Sequence, residues 1–263
     1  MIDFLMISTR SKKNGLIEIY PKFIIKKSSD LMIRGGDFYA IWIEERGLWS
    51  TDEQDALQLI DRELDRYAEE NRNRFDSNVK VLHMWDSESG MIDSWHKYCQ
   101  KQMRDSFHML DEKLIFSNTP TNKKDYASKR LGYPLEAGET PAYDKLMSTL
   151  YEEEERRKIE WAIGSIISGE SKKLQKFMVL YGAAGTGKST VLNIIQQLFE
   201  GYYSVFDAKA LGSSSNAFAL EAFKDNPLVA IQHDGDLSKI EDNTRLNSLV
   251  SHERMTVNEK FKS

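Results

Sequence analysis

The run Gly182-Ala183-Ala184-Gly185-Thr186-Gly187-Lys188-Ser189 constrains this chain more than any other stretch of it. It meets G-x-x-x-x-G-K-[ST] at every fixed position, the pattern of a loop that wraps a chain of phosphates. Glycines there let the backbone curl tightly enough for successive N–H groups to face a β-phosphate. Lys188 is expected to offset the β- and γ-phosphate charge, and the Ser189 hydroxyl to take a place on Mg²⁺. A helix starting at this point adds the positive end of its dipole, which brings Thr190 into the expected contact set. The bland alternative is a glycine-rich turn with an incidental lysine. The flanks argue against it: Phe177-Met178-Val179-Leu180-Tyr181 is wholly apolar, as a buried parallel strand is expected to be, and Ser189–Phe199 is apolar at helical spacing.

Holding a metal beside a triphosphate and polarising water calls for a second acid at the end of a neighbouring strand. Leu228-Val229-Ala230-Ile231-Gln232-His233-Asp234-Gly235-Asp236 is an apolar run ending in carboxylates. Asp234 is the candidate metal ligand and Asp236 the candidate for orienting water, with the division of labour between them left open. Asp-Gly-Asp is also a favoured tight turn with no chemistry at all. His233 reads as structural. His83, His96, His108 and His252 show no ligand spacing around Cys99, so zinc is not expected.

At 263 residues the chain suits one large domain or two modest ones. Its net charge of −5 does not advertise nucleic acid, although a local basic face can bind phosphates on an acidic protein. The single cysteine, Cys99, has no internal disulfide partner and suggests a reducing compartment. No segment approaches the roughly 18 apolar residues of a membrane helix. Near the N-terminus the apolar patch precedes Arg10, Lys12 and Lys13, the reverse of a secretory signal. A soluble cytoplasmic protein is the expectation.

Leu16–Tyr20, Phe23–Ile25 and Phe38–Ile43 read as strands, with Gly35-Gly36-Asp37 as a turn. A helix is expected over Asp52–Asn71, capped by Ser50 and Glu53 and apolar at Leu57, Ile60, Leu64 and Tyr67. Trp95–Leu110 looks helical, and 111–140 reads as a linker-like loop carrying Lys123, Lys124, Lys129 and Arg130. One long helix is expected from Pro141 to Ser168, with Glu152–Glu155 and Arg156–Lys158 forming i, i+4 ion pairs. Beyond it, strand and helix signals alternate: Tyr203–Phe206 and Leu228–Ile231 as strands, Ala217–Phe223 and Asn243–Val250 as helices. The expected division is a small β-plus-helix unit over 1–75, a mainly helical or irregular region over 76–140, and an α/β domain over 141–263 in which a parallel sheet is flanked by helices.

From Pro141 onward the residues resemble the phage- and plasmid-type superfamily 3 helicases, the ATPase part of viral primase–helicases. The resemblance is carried by Phe177–Thr190, Asn226–Asp236 and Leu246–Lys262, and above all by Asp234-Gly235-Asp236-Leu237-Ser238 followed by Asn243–Val250. It implies a P-loop, AAA+-like fold and a DNA-dependent ATPase of bacteriophage DNA replication, using ATP and Mg²⁺. It further implies a ring, a homo-hexamer, that draws single-stranded DNA through its centre beside other replication proteins in the host cytoplasm. In that family a hairpin beyond the second acid touches DNA, and Lys260 and Lys262 fall in the corresponding place; two solvated lysines are the competing reading. The family's sensor residue and arginine finger have no counterpart before Ser263, so an ATPase domain cut short at its C-terminus is expected, binding ATP but hydrolysing it poorly alone.

Two other classes compete with the helicase. A small-molecule P-loop kinase would want an arginine-rich lid, and no such cluster follows the loop. A non-catalytic loader or assembly protein would need only the incomplete domain. Asp37, Glu44 and Glu45 are too thin a set of carboxylates for a primase site.

Overall fold

The computed structural model describes residues 2–24, 27–34, 38–75, 78–101, 108–213, 216, 218–235, 242–253 and 255. The chain divides into two compact units, Met1–Asp111 with Pro120–Lys129, and Glu112–Thr119 with Arg130–Ser263. The stretch 76–140, expected as a region of its own, is shared between them.

In the first unit β1 (Leu5–Ser11), β2 (Ile17–Phe23), β3 (Leu31–Arg34), β4 (Phe38–Ile43) and β5 (Leu48–Ser50) precede the helix α1 (Glu53–Glu70), followed by β6 (Val79–Val81) and α2 (Met91–Lys101). β1 and β2 form an antiparallel hairpin with Leu5 opposite Phe23 and Arg10 opposite Glu18, and β6 adds to β2 in parallel. A second sheet is the antiparallel meander β3-β4-β5. α1 places Leu57, Ile60 and Leu64 in a core shared with Phe4, Ile19, Ile41 and Trp95. That single apolar face is what the helical spacing demanded. The expected cap moves by two residues: Asp52 is the N-cap and accepts from Gln54 N at 2.9 Å. Ser50 is still in β5, and its hydroxyl donates to Asp55 Oδ2 at 2.6 Å.

Further sequence readings in this unit change: Leu16–Tyr20 and Phe23–Ile25, expected as two strands, meet in the one strand β2, with Ile25 outside the described residues. The basic stretch expected as part of a linker is sewn to the β-meander instead. Trp49 Nε1 donates to Lys123 O at 2.9 Å, Trp49 N to Ala127 O at 2.8 Å and Thr121 Oγ1 to Gly47 O at 2.6 Å, while Lys123 pairs with Asp30. The helix expected over Trp95–Leu110 is α2, which starts at Met91; 102–107 lie outside the described residues and 108–110 are not helical. Cys99 on α2 is buried, and desolvation pushes its thiol up to about 12, so it is an inert core residue. Gly35-Gly36-Asp37 and Ile25 lie outside the described residues.

The second unit runs α3 (Pro141–Leu150), α4 (Glu153–Ser168), α5 (Ser171–Leu174), α6 (Lys188–Leu198), β7 (Tyr203–Val205), α7 (Ala208–Leu211), β8 (Val229–Ile231) and α8 (Thr244–Val250). The long helix expected over 141–168 is two. Tyr151 and Glu152 take extended backbone (φ −138°, ψ 144° and φ −65°, ψ 160°), which turns the chain and lets α4 return against α3. Arg156 of α4 then bonds both Asp144 of α3 and Glu160, and the expected ion pairs form as Arg157–Glu153 and Lys158–Glu154. Of the helical piece expected over 217–223, only the 3₁₀ turn Glu221–Phe223 is regular, with Ala217 outside the described residues.

β7 and β8 pair in parallel, Tyr203 opposite Val229 and Val205 opposite Ile231. This is the α/β mixture expected, on a smaller scale, for these two strands make up the whole described sheet of the unit. Phe177–Tyr181 is not the buried strand its composition suggested. It has no regular secondary structure, and Phe177, Met178, Val179 and Tyr181 are 54%, 40%, 54% and 98% exposed. Apolar side chains make a strand compatible with burial, but only a neighbouring backbone that supplies ladder hydrogen bonds makes it a strand. Leu180 alone reaches the core formed by Met147, Ile159, Val191, Ile195, Phe199, Val229 and Ile231. Among the described residues no helix is long and apolar enough to cross a membrane.

Candidate functional site

The glycine loop leads directly into α6. Gly185 and Gly187 sit at φ 77° and 81°, left-handed conformations that a side chain resists, and they make the tight curl the motif demands. Gly187 is also the N-cap of α6, and no side chain caps that end. The first intrahelical bond runs from Val191 N to Gly187 O at 3.1 Å. The N–H groups of Lys188, Ser189 and Thr190 therefore precede the helical ladder, at the positive end of the dipole.

Lys188 folds back over the loop. Its Nζ donates to Gly182 O at 2.9 Å, Ala183 O at 2.6 Å and Thr186 Oγ1 at 3.3 Å, and Thr186 Oγ1 donates to Ala183 O at 3.0 Å. An ammonium carries three donors and no acceptor, so these contacts close the loop around a fixed positive charge. Gly182 through Thr186, with Ser189 and Thr190, are exposed, while Gly187 and Lys188 are half-buried. An uncapped helix start and a lysine thus lie together at an exposed glycine loop, an arrangement that suits an anion and repels a cation.

The acidic turn follows β8 directly. Gln232 organises it: its Oε1 accepts from Ala208 N at the start of α7 at 3.0 Å, and its Nε2 donates to Asp234 O at 3.4 Å. Gly235 packs on the same amide, since a Cβ there would meet the Gln232 side chain at 3.2–3.5 Å. Asp234 itself is exposed. The strand that bears it shares one apolar core with the helix that bears Lys188, Val229 and Ile231 packing with Val191 and Ile195. Asp236, Lys260 and Lys262 lie outside the described residues. Downstream, Arg245 of α8 donates to Ser213 O at 3.1 Å and Asn216 O at 2.9 Å, tying α8 to the loop after α7.

Two contacts at this site were missed in the sequence. Leu150, the last residue of α3, covers Gly187 so closely that a Cβ there would meet its methyls at 2.8 and 2.9 Å. Nothing local marks it, because one leucine among several on a helix carries no label. Gln232 did leave a signal: a long polar residue closing an apolar strand needs a partner for its amide. His83 and His96 each face a carboxylate, Asp65 at 2.6 Å and Glu53 at 2.5 Å, well away in sequence from the glycine loop.

No curated protein and no solved structure matches the chain. Residues 180–263, which take in the glycine loop, α6, β8 and Asp234, match the model of a family of unknown function, DUF5906.

Proposed function

We propose that the second unit binds Mg·ATP at Gly182–Thr190 and that the chain is an ATP-dependent DNA helicase of phage replication, working as a ring on single-stranded DNA. The observation that carries the reading is the closed loop itself: two left-handed glycines, an uncapped helix start and a lysine bonded across the loop mouth. Those features fit a polyphosphate. In this reading the backbone amides and Lys188 hold the β- and γ-phosphates, Ser189 and Asp234 hold the metal, and Asp236 orients water. Bound Mg·ATP would supply the phosphoryl group and the metal charge that the reaction draws on. Gln232 keeps the Asp234 turn in place. The reading requires an AAA+-like parallel sheet, and the parallel β7–β8 pair supports it.

The test is titration of a fluorescent ATP analogue, with and without Mg²⁺, followed by steady-state turnover with and without single-stranded DNA. Lys188→Ala is expected to weaken nucleotide binding about 10- to 100-fold, the value of a charge-assisted contact. Asp234→Asn is expected to remove most of the Mg²⁺ dependence. DNA-stimulated turnover lost in Lys188→Ala supports the helicase. Transfer to a metabolite, indifferent to DNA, would make the chain a kinase, and nucleotide binding without turnover in any assembled form a loader. No affinity for Mg·ATP defeats all three.

A further inference from the structure

The β1-β2-β6 sheet buries one face and leaves the other open. Leu5, Ile19 and Phe23 point into the core beneath it, and by strand alternation Arg10, Tyr20, Lys22 and Lys80 lie on the opposite face. The register brings these together: Arg10 opposite Glu18, Glu18 beside Lys80, and Lys22 next along β2 after Tyr20 and Pro21. Lys12 joins at the end of the hairpin, 3.5 Å from Glu18. In a chain of net charge −5, this face carries, among the described residues of its strands and hairpin, four cations against one carboxylate. Glu18 is bonded by Arg10 and holds it, and the Arg10 guanidinium carbon lies 5.2 Å from the centroid of the Tyr20 ring. Arg10 and Lys12 remain 51% and 46% exposed despite those contacts.

We infer that this open face binds single-stranded DNA, with Arg10, Lys12, Lys22 and Lys80 against phosphates and the Tyr20–Arg10 stack receiving a base. The charge is complementary to a phosphodiester chain. Aromatic rings and guanidinium planes on a sheet give bases a stacking platform, which only unpaired bases can use. A duplex keeps its bases stacked internally and presents none to the Tyr20–Arg10 stack. The choice of DNA over RNA rests on the helicase reading of the second unit, whereas the choice of a single strand rests on the face alone.

The experiment is fluorescence anisotropy of a fluorescein-labelled 20-mer of deoxythymidine titrated with the intact chain, without nucleotide, over a series of salt concentrations. Lys22→Glu/Lys80→Glu is expected to weaken binding at least tenfold at low salt. The slope of log affinity against log salt should fall by about 1.4, at roughly 0.7 for each lost phosphate contact on a single strand. Tyr20→Leu should weaken binding about 5- to 150-fold, the range for one base–aromatic stack, and Tyr20→Phe should restore it. The milder pair Lys22→Gln/Lys80→Gln should fall between wild type and the reversal, which separates lost contacts from lost folding. Unchanged affinity in the charge-reversed chain overturns the inference, as does tighter binding of the matching duplex or of a uridine 20-mer. Mg·ATP titration of the same samples keeps the two readings apart. A chain that binds DNA through this face but no nucleotide leaves the surface standing and the ATPase fallen, and the converse result does the reverse.

Discussion

Phe38–Ile43 and Phe177–Tyr181 are runs of the same kind, apolar and rich in residues that favour extended chain, yet they end in opposite states. The first is β4, flanked on both sides: Ala40 faces Met32 on β3, and Trp42 faces Trp49 on β5. Ala40 and Ile41 are fully buried. The second has no ladder partner, and four of its five side chains face solvent. What separates them is supply of backbone partners, because a short hairpin brings β3 and β5 to β4 within a few residues. A parallel strand must wait for a distant crossover segment.

The comparison can be broken most sharply at buried positions. Ile41→Ala is expected to cost about 2–5 kcal/mol, the range for emptying a packed aliphatic site, whereas Val179→Ala should stay within about 0.5 kcal/mol, as exposed substitutions do. Urea unfolding followed by tryptophan fluorescence measures both. A loss at Val179 as large as at Ile41 would mean that the run is already a packed strand in solution.

The glycine loop next to that exposed run is held by specific contacts, and a smaller effect should expose them. Gly187→Ala places a Cβ in a left-handed conformation worth about 1–2 kcal/mol of strain and drives it into Leu150. Leu150→Ala in the same chain should recover the steric part and leave the strain, so the double variant is expected to lose less than the sum of the single ones. The readouts are unfolding free energy and nucleotide-analogue affinity. Strict additivity would show that Leu150 yields freely and does not brace the loop.

A modest effect is expected beside β4. The turn after it is pinned by Arg46 Nη1 and Nη2 to Asp55 Oδ2 and Oδ1 at 2.6 and 2.9 Å. Hydrogen bonds from Arg46, then from Ser50, hold the Asp55 carboxyl below the usual carboxylate range. A carboxyl lowered by folding contributes stability above its unfolded value and loses it as pH falls through the folded one. Because Arg46 is largely exposed, Asp55→Asn should cost only about 0.2–1 kcal/mol at neutral pH. Its difference from wild type should vanish in acid. A difference that grows on acidification would refute the ion pair.

Local patterns were legible in the sequence. β4 was read to the residue, and α1, α6, β7, β8 and α8 to within a residue or two, because apolar periodicity and glycine punctuation are short-range signals. β1 was not read, since only Leu5 and Ile7 of Leu5-Met6-Ile7-Ser8-Thr9-Arg10-Ser11 reach the core and four of the other five residues are polar. The break at Tyr151 was hidden because 141–168 has good helix formers on both sides of it. The attachment of 120–129 to the β-meander was invisible for a different reason: its bonds join Lys123 and Ala127 to Trp49, far apart in the chain and mostly through backbone atoms that no residue type advertises. At the candidate site, the glycine curl, the helix that follows it and the acid after β8 were legible, Gln232 left only the signal of a polar residue closing an apolar strand, and Leu150 left none.

By itself the sequence determined the curl at Gly185 and Gly187, the helix that leaves it, the lysine that closes it and the acid at the end of an apolar strand, since each depends on residues within a few positions of one another. Tertiary structure alone decided that the 177–181 run lacks strand partners, that Leu150 lies on Gly187, that Gln232 braces the acid turn, and that the cations of β1, β2 and β6 share one open face. Those outcomes depend on which distant backbones and side chains meet. That is set by the burial and hydrogen bonding of whole elements, not by the preferences of any one stretch.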